Sequence, residues 1–139
     1  MRRRPKVVFD TNIFISAIIF GGNPRSCLEL ARAGEIELFT SRELLLELAR
    51  KFREKFRWGE EEIVDVIEGI SNFAKIVRPT KEINLIKEEL TDNRVLECAQ
   101  EAKADFIISG DKKHILPIKK FQKIQIMSVK SFLDKFFIK

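Results

Sequence analysis

Apolar and polar positions switch between two periods along this chain. Lys6-Val7-Val8-Phe9-Asp10 is a short apolar run ending on an acid, the pattern of a strand buried on both faces. Residues 12–19 read as a helix that Gly21-Gly22 breaks. Asn23-Pro24 opens a second helix, whose stripe is Cys27, Leu28, Leu30 and Ala31 before Gly34 closes it. A second strand is predicted over 36–40. Thr40 and Glu43 then match a capping box, starting a helix on Leu44, Leu45, Leu48 and Phe52 that runs to about residue 56. After Trp58-Gly59, Ile63, Val66, Ile67 and Ile70 recur at helical spacing over 60–73. A third strand over 75–79 stops at its proline, and a polar stretch runs to residue 90. A helix over 92–103 turns Val95, Leu96, Cys98 and Ala99 inward. Strands are predicted at 106–109 and 124–127, and Ser128 caps a last helix carrying Val129, Phe132, Leu133 and Phe136.

Strands alternating with helices throughout imply an α/β fold, a parallel sheet covered by helices on both faces. Ligands in such sheets bind outside the carboxyl ends of the strands, where the strand order reverses. The residues just past strands therefore carry the functional argument. The 139 residues suit one domain, 1–139, and 45% hydrophobic with 34% charged residues is a globular composition. Two cysteines make neither a disulfide framework nor a four-cysteine zinc site. The longest apolar run, 13–20, is far short of the ~20 residues that span a bilayer, so a cytoplasmic protein without membrane association is expected.

Charge adds a hint of partner. The net charge of +5 is uneven: residues 1–30 hold five Lys/Arg against two acids, and residues 111–139 hold eight against two. Basic ends around an acidic middle suit a polyanion, provided that folding brings them onto one face.

Two acids follow strands: Asp10 after the first and Asp111 after the fourth. Asp92, at a helix start, and Glu47, on the second turn of the helix after strand two, lie where they can join them. Four convergent carboxylates repel one another unless a cation intervenes. Mg²⁺ or Mn²⁺, which take oxygen ligands, resolves that and can polarise a phosphate or activate a water. Each acid also has a plainer role: Asp10 in an Asp-Thr-Asn turn, Asp92 at a helix N-terminus, Glu47 paired with Lys51 at i+4, and Asp111 in a Ser-Gly-Asp turn. Glu43 is the rival to Glu47, although the predicted capping box already employs it.

Four blocks together resemble the PIN-domain nucleases, in particular the single-domain prokaryotic kind found as toxins of toxin–antitoxin pairs (VapC-like). They are Val7-Val8-Phe9-Asp10-Thr11-Asn12-Ile13-Phe14, residues 41–48, Asp92-Asn93-Arg94-Val95-Leu96-Glu97-Cys98-Ala99, and Lys103-Ala104-Asp105-Phe106-Ile107-Ile108-Ser109-Gly110-Asp111. The resemblance implies a three-layer α/β/α sandwich with a five-stranded parallel sheet. It implies a Mg²⁺/Mn²⁺-dependent endoribonuclease acting on single-stranded RNA, with Asp10, Glu47, Asp92 and Asp111 as the catalytic, metal-holding quartet. Asn12 would orient Asp10, and Ser109 stands where relatives commonly have a small hydroxyl. A homodimer and a small antitoxin partner are also implied. Glu89 replaces the additional Asp that many relatives have three residues before the third-block acid.

In this reading the RNA backbone is held by charge, from Arg2, Arg3, Arg4, Lys112, Lys113, Lys119 and Lys120. The alternative of another class is a nucleic-acid-binding module of the same fold with little turnover. A receiver domain fits poorly, because strand one ends in a single acid and strand three at Arg78-Pro79. His114, the only histidine, is expected at the surface, Cys27 and Cys98 in the core, and Trp58 at a helix–helix corner. Phe132, Phe136, Phe137 and Ile138 either dock on the chain's own core or form a dimer contact.

Overall fold

A computed structural model describes residues 3–137 of the chain. Six strands, β1 (Lys6–Phe9), β2 (Glu37–Ser41), β3 (Lys75–Val77), β4 (Phe106–Ile108), β5 (Lys120–Phe121) and β6 (Ile124–Met127), form one sheet in the order β3-β2-β1-β4-β6-β5. Five of them pair in parallel, as expected. The sixth, β5, is a two-residue antiparallel edge with Lys120 opposite Gln125 and Phe121 opposite Ile124. It escapes the sequence pattern because two residues are too few to show a period. The chain winds outward from β1 to β2 and β3, then returns to the other side of β1 as β4. The strand order thus reverses between β1 and β4.

Alternation along each strand divides the core in two. Val7, Phe9, Leu38 and Ile108 face helices α1 (Thr11–Ile15), α2 (Gly22–Arg32), α3 (Arg42–Glu54), α4 (Glu60–Phe73) and α6 (Val129–Phe137). Val8, Phe39, Ile107, Ile124 and Ile126 face α5 (Asn93–Ala102) with Val95, Leu96, Cys98 and Ala99. A strand buried on both faces needs apolar residues at every position, which Val7-Val8-Phe9 supplies. Both thiols are buried, and burial pushes their pKa up to about 12, so they act as small core groups. Phe132 is buried against Phe106 and Phe136, so α6 docks on its own core; Ile138 and the Phe137 side chain lie outside what is described.

Two local details differ from the sequence expectation, and a third adds to it. The first helix is cut short and continues as a π-helical turn, Ser16–Phe20. Arg25 donates from Nε to the Ala17 carbonyl (3.0 Å) and from Nη2 to that of Ile18 (3.1 Å), and Gly21 at φ 81° turns the chain into α2. The cap of α3 is Ser41, whose Oγ accepts from Leu44 N (3.2 Å). Thr40 stays in β2 with its hydroxyl buried and unpartnered, so the Thr40–Glu43 capping box does not form. The polar stretch before α5 is irregular but tied down. Asn93 accepts from Ile86 N (2.8 Å) and donates to the Ile86 and Leu90 carbonyls, while Glu97 accepts from Ile83 N (2.9 Å).

Phe52 is fully buried, stacked on Trp58 with centroids 4.2 Å apart, so Trp58 does anchor the α3–α4 corner. Phe52→Ala is expected to cost about 3–5 kcal/mol in urea unfolding. Leu46→Ala, on the exposed side of the same helix (57% exposed), should stay within about 0.5 kcal/mol.

Candidate active site

The register of two central strands creates the site. Phe9 pairs with Ile108, so the next residues, Asp10 and Ser109, leave the sheet side by side. Asp10 is 4% exposed and caps α1: its Oδ1 accepts from Asn12 N (3.2 Å) and its Oδ2 accepts from Ser109 Oγ (2.8 Å). Ser109 Oγ in turn accepts from Asp111 N (3.0 Å), so one buried hydroxyl ties the first acid to the turn holding the last. Asn12 meets Asp10 through its backbone N–H rather than its side chain. The Asn12 side-chain oxygen accepts from Lys51 Nζ (3.2 Å).

Asp111 Oδ1 accepts from Lys113 N (2.9 Å) and His114 N (3.1 Å). Burial pushes the Asp111 carboxyl up, but these backbone donors and the nearby His114 outweigh it and hold the pKa below its ordinary value. Asp92 ends the 3₁₀ turn Leu90–Asp92 at the start of α5, where the Asn93 staple fixes it. Its pKa is pushed up to about 6, first by burial and then by the charges of Asp10, Asp111 and Glu89, with His114 opposing. Asp92 Oδ2 is buried with no hydrogen-bond donor. A buried carboxylate oxygen without a donor, among like charges, is a costly arrangement that a hard divalent cation relieves. The donor set fits such a group.

Asp10, Asp92 and Asp111 are thus brought together, with Glu89 near enough to raise Asp92. Glu47 stands on the α3 wall. Its Oε1 accepts from Arg50 Nη2 (2.9 Å) and Nε (3.2 Å), and its Oε2 lies 3.8 Å from Lys51 Nζ. Lys51 also donates to Thr11 Oγ1 (2.8 Å), so the same ammonium links Glu47 to the turn after Asp10. Glu43, Glu47, Arg50, Thr91 and Arg94 line a cleft of about 300 Å³ between α3 and the head of α5.

The basic residues named from the sequence do not gather at one edge of the sheet. Of the seven basic residues named, Lys112 and Lys113 lie beside the acids, in the turn after Asp111. Arg3 pairs with Asp105 (2.9 Å) and Arg4 with Glu37 (3.5 Å), at the amino ends of β4 and β2, the opposite edge of the sheet. Lys120 pairs with Gln125, itself opposite the first residue of β4, and the Lys119 carbonyl accepts from Ile126 N. Arg2 lies outside the described residues. Sequence reasoning names neither Arg50 nor Arg94, and gives Lys51 only the role of Glu47's i+4 partner, a pair that forms at 3.8 Å. His114 does not sit simply at the surface: its side chain is 20% exposed and its Nδ1 lies 3.5 Å from an oxygen of both Asp92 and Asp111.

Residues 6–113 match the family described as PIN domain (PIN_3). The chain belongs to the PIN-domain family, a family of nucleases. An uncharacterized protein of Methanocaldococcus jannaschii, MJ1680, is 37% identical over 113 residues, spanning 77% of this chain and 71% of the relative. Among solved structures, VapBC2 from Rickettsia felis bound to a promoter DNA fragment superposes with TM-score 0.61 at 15% identity, over 88% of this chain and 98% of that one. VapC20 from Mycobacterium tuberculosis, a Sarcin-Ricin loop cleaving toxin, gives 0.60 at 13%, over 86% and 98%. PAE2754 from Pyrobaculum aerophilum gives 0.60 at 10%, over 95% and 88%. At these identities the likeness establishes a shared fold.

Two outcomes test the geometry. Ser109→Ala leaves Asp10 Oδ2 and Asp111 N without their buried partner, and is expected to lower unfolding stability by about 1–3 kcal/mol in urea titrations. With the folded pKa of Asp92 near 6, above its ordinary 3.8, the folded state holds the extra proton. Metal-free stability should therefore fall as pH rises through the window from about 4 to about 6, and Asp92→Asn should flatten that slope in melting scans with chelator. The lowered carboxyl of Asp111 acts below this window and with opposite sign.

Proposed function

We propose that this single PIN domain, residues 1–139, is a Mg²⁺- or Mn²⁺-dependent endoribonuclease that cleaves single-stranded RNA. The observation supporting it is the convergence of Asp10, Asp92 and Asp111 beyond β1 and β4, with an unpartnered Asp92 oxygen among them. Asp10, Asp92 and Asp111 would hold the cation, with Glu47 as the fourth acid from the α3 side. Glu47 is favoured over Glu43 because Lys51 links it to the Asp10 turn. When bound, the cation supplies a polarised phosphate oxygen and a water of lowered pKa.

The chain's own residues do the rest. Ser109 and the Asn12 N–H orient the two oxygens of Asp10. The N–H groups of Lys113 and His114 occupy Asp111 Oδ1 and leave Oδ2 for the centre. Lys112 and Lys113, in the turn after Asp111, attract the phosphate backbone without reading bases. An open cleft suits a flexible single strand better than a rigid duplex.

The VapBC likeness extends the proposal: the chain acts as the toxin of a toxin–antitoxin pair in the cytoplasm, bound by a small antitoxin protein, and works as a homodimer. Among the described residues no helix is long and apolar enough to cross a membrane.

The test is cleavage of labelled single-stranded RNA with Mn²⁺, with Mg²⁺ and with chelator, beside Asp10→Asn. Cleavage that requires metal and falls at least ~1000-fold in the variant, while salt-dependent RNA binding stays within about threefold, is expected. Equal cleavage by variant and parent would refute the site. RNA binding without metal-dependent cleavage would favour a binding module of the same fold.

A further inference from the structure

An acidic quartet does not call for an imidazole, yet the chain's single histidine lies against it. His114 Nδ1 is 3.5 Å from Asp92 Oδ2 and 3.5 Å from Asp111 Oδ2. One potential ligand atom from each of Asp92, Asp111 and His114 lie within 4.8 Å of one another. Ligands held about 2.1 Å from one six-coordinate cation are about 3 Å apart when adjacent and about 4.2 Å apart when opposite. The three atoms already stand at separations that one cation can bridge with small side-chain adjustments.

The ring's position is built rather than incidental. Asp111 Oδ1 accepts from the N–H of His114 itself, and Leu116 N donates to the Asp111 carbonyl (2.9 Å), closing the turn over the acid. The next residue, Ile115, is fully buried in the α5-side core. The backbone on both sides of His114 is therefore anchored, one side by the metal-facing acid and the other by the core. A solvated surface histidine needs neither anchor.

We propose that His114 is a further protein ligand, through Nδ1, beside Asp92 and Asp111, and that it makes the centre a mixed nitrogen–oxygen site selective for Mn²⁺ over Mg²⁺. The proposal rests on the metal-centre reading above. Mg²⁺ prefers an all-oxygen octahedron and keeps its waters, whereas Mn²⁺, although it also favours oxygen and stands at the weak end of the first-row series, is a transition ion that accepts an imidazole nitrogen more readily than Mg²⁺ does. An Asp₂His face therefore adds affinity for Mn²⁺ and little for Mg²⁺. The competing role for His114 is that of an imidazolium counter-charge, displaced when a cation binds.

The experiment loads the full chain with Mn²⁺ and reads pulsed EPR for coupling to a ring ¹⁴N, alongside calorimetric titration with Mn²⁺ and with Mg²⁺. The expected result is a nitrogen coupling in the parent that vanishes in His114→Ala. Mn²⁺ affinity should fall about tenfold or more in that variant and Mg²⁺ affinity less than about threefold. The parent spectrum decides the question even if the variant folds poorly. Mn²⁺ that binds, is weakened by Asp92→Asn and shows no nitrogen coupling overturns the histidine ligand and leaves the acidic centre standing. Coupling that persists in His114→Ala also overturns it. Mn²⁺ binding indifferent to Asp92→Asn overturns the histidine proposal together with the metal centre itself.

Discussion

The hydrogen bond from Ser109 Oγ to Asp10 Oδ2 joins residues 99 positions apart and lies where the sheet reverses direction. Its existence depends on the β1–β4 register: a slip of one residue would turn Asp10 away from Ser109 and send Phe9 to the wrong face. Both residues sit at the end of strands with apolar side chains on two faces, so the register is held by the whole core. The same hydroxyl receives the Asp111 N–H, which places the third acid relative to the first. Asp92 comes from the other layer, positioned by the Asn93 staple at the head of α5. The site is a seam between the two halves of the winding and the two layers of helices.

Gathering carboxylates at that seam works against folding. Burial and neighbouring charge raise Asp92, while the fixed N–H donors hold Asp111 ionised, so the two acids respond to a shared environment in opposite directions. The asymmetry has a local cause. Asp111 is followed by a turn whose amides point back at it, whereas Asp92 precedes a helix and keeps one oxygen without a donor. The surrounding core, including fully buried Phe9, Leu96, Ile107 and Ile108, offsets the cost of holding them together. Such local frustration is characteristic of sites shaped for a ligand that the unfolded chain cannot bind.

Charge is segregated along the strand axis. At the amino edge of the sheet, Arg3, Arg4 and Lys75 are consumed by Asp105 and Glu37, ion pairs that link neighbouring strands. The basic amino terminus, which reads as an RNA-binding arm, is in large part a structural clasp: Asp105 also accepts from Lys6 N (2.8 Å). Toward the carboxyl edge, Arg50 and Lys51 pair with Glu47 and Arg94 pairs with Glu97, while Lys112 and Lys113 follow Asp111 in its turn. A net charge of +5 says nothing about which edge holds the excess.

Much of this was legible before any fold was known. The alternation of strand and helix, the parallel sheet, the acids at the ends of β1 and β4, the helix over 60–73 and the cap at Ser128 all follow from local periodicity and turn chemistry, which depend on residues close in sequence. Asp10, Asp92 and Asp111 could be singled out because strand ends and helix starts mark the functional edge of a doubly wound sheet. What local pattern cannot carry is the pairing of distant residues. The two-residue edge strand exists only because β6 offers it partners, and Ser41 rather than Thr40 caps α3 because β2 extends one residue further along its neighbours. Lys51 becomes a bridge only when α3 crosses the Asp10 turn. His114 acquires its two carboxylates only when the loop after Asp111 folds back toward α5. Sequence alone determined the class of fold and the acids at its edge; tertiary structure decided which cations and which histidine stand beside them, because those contacts are set by the packing of layers rather than by spacing along the chain.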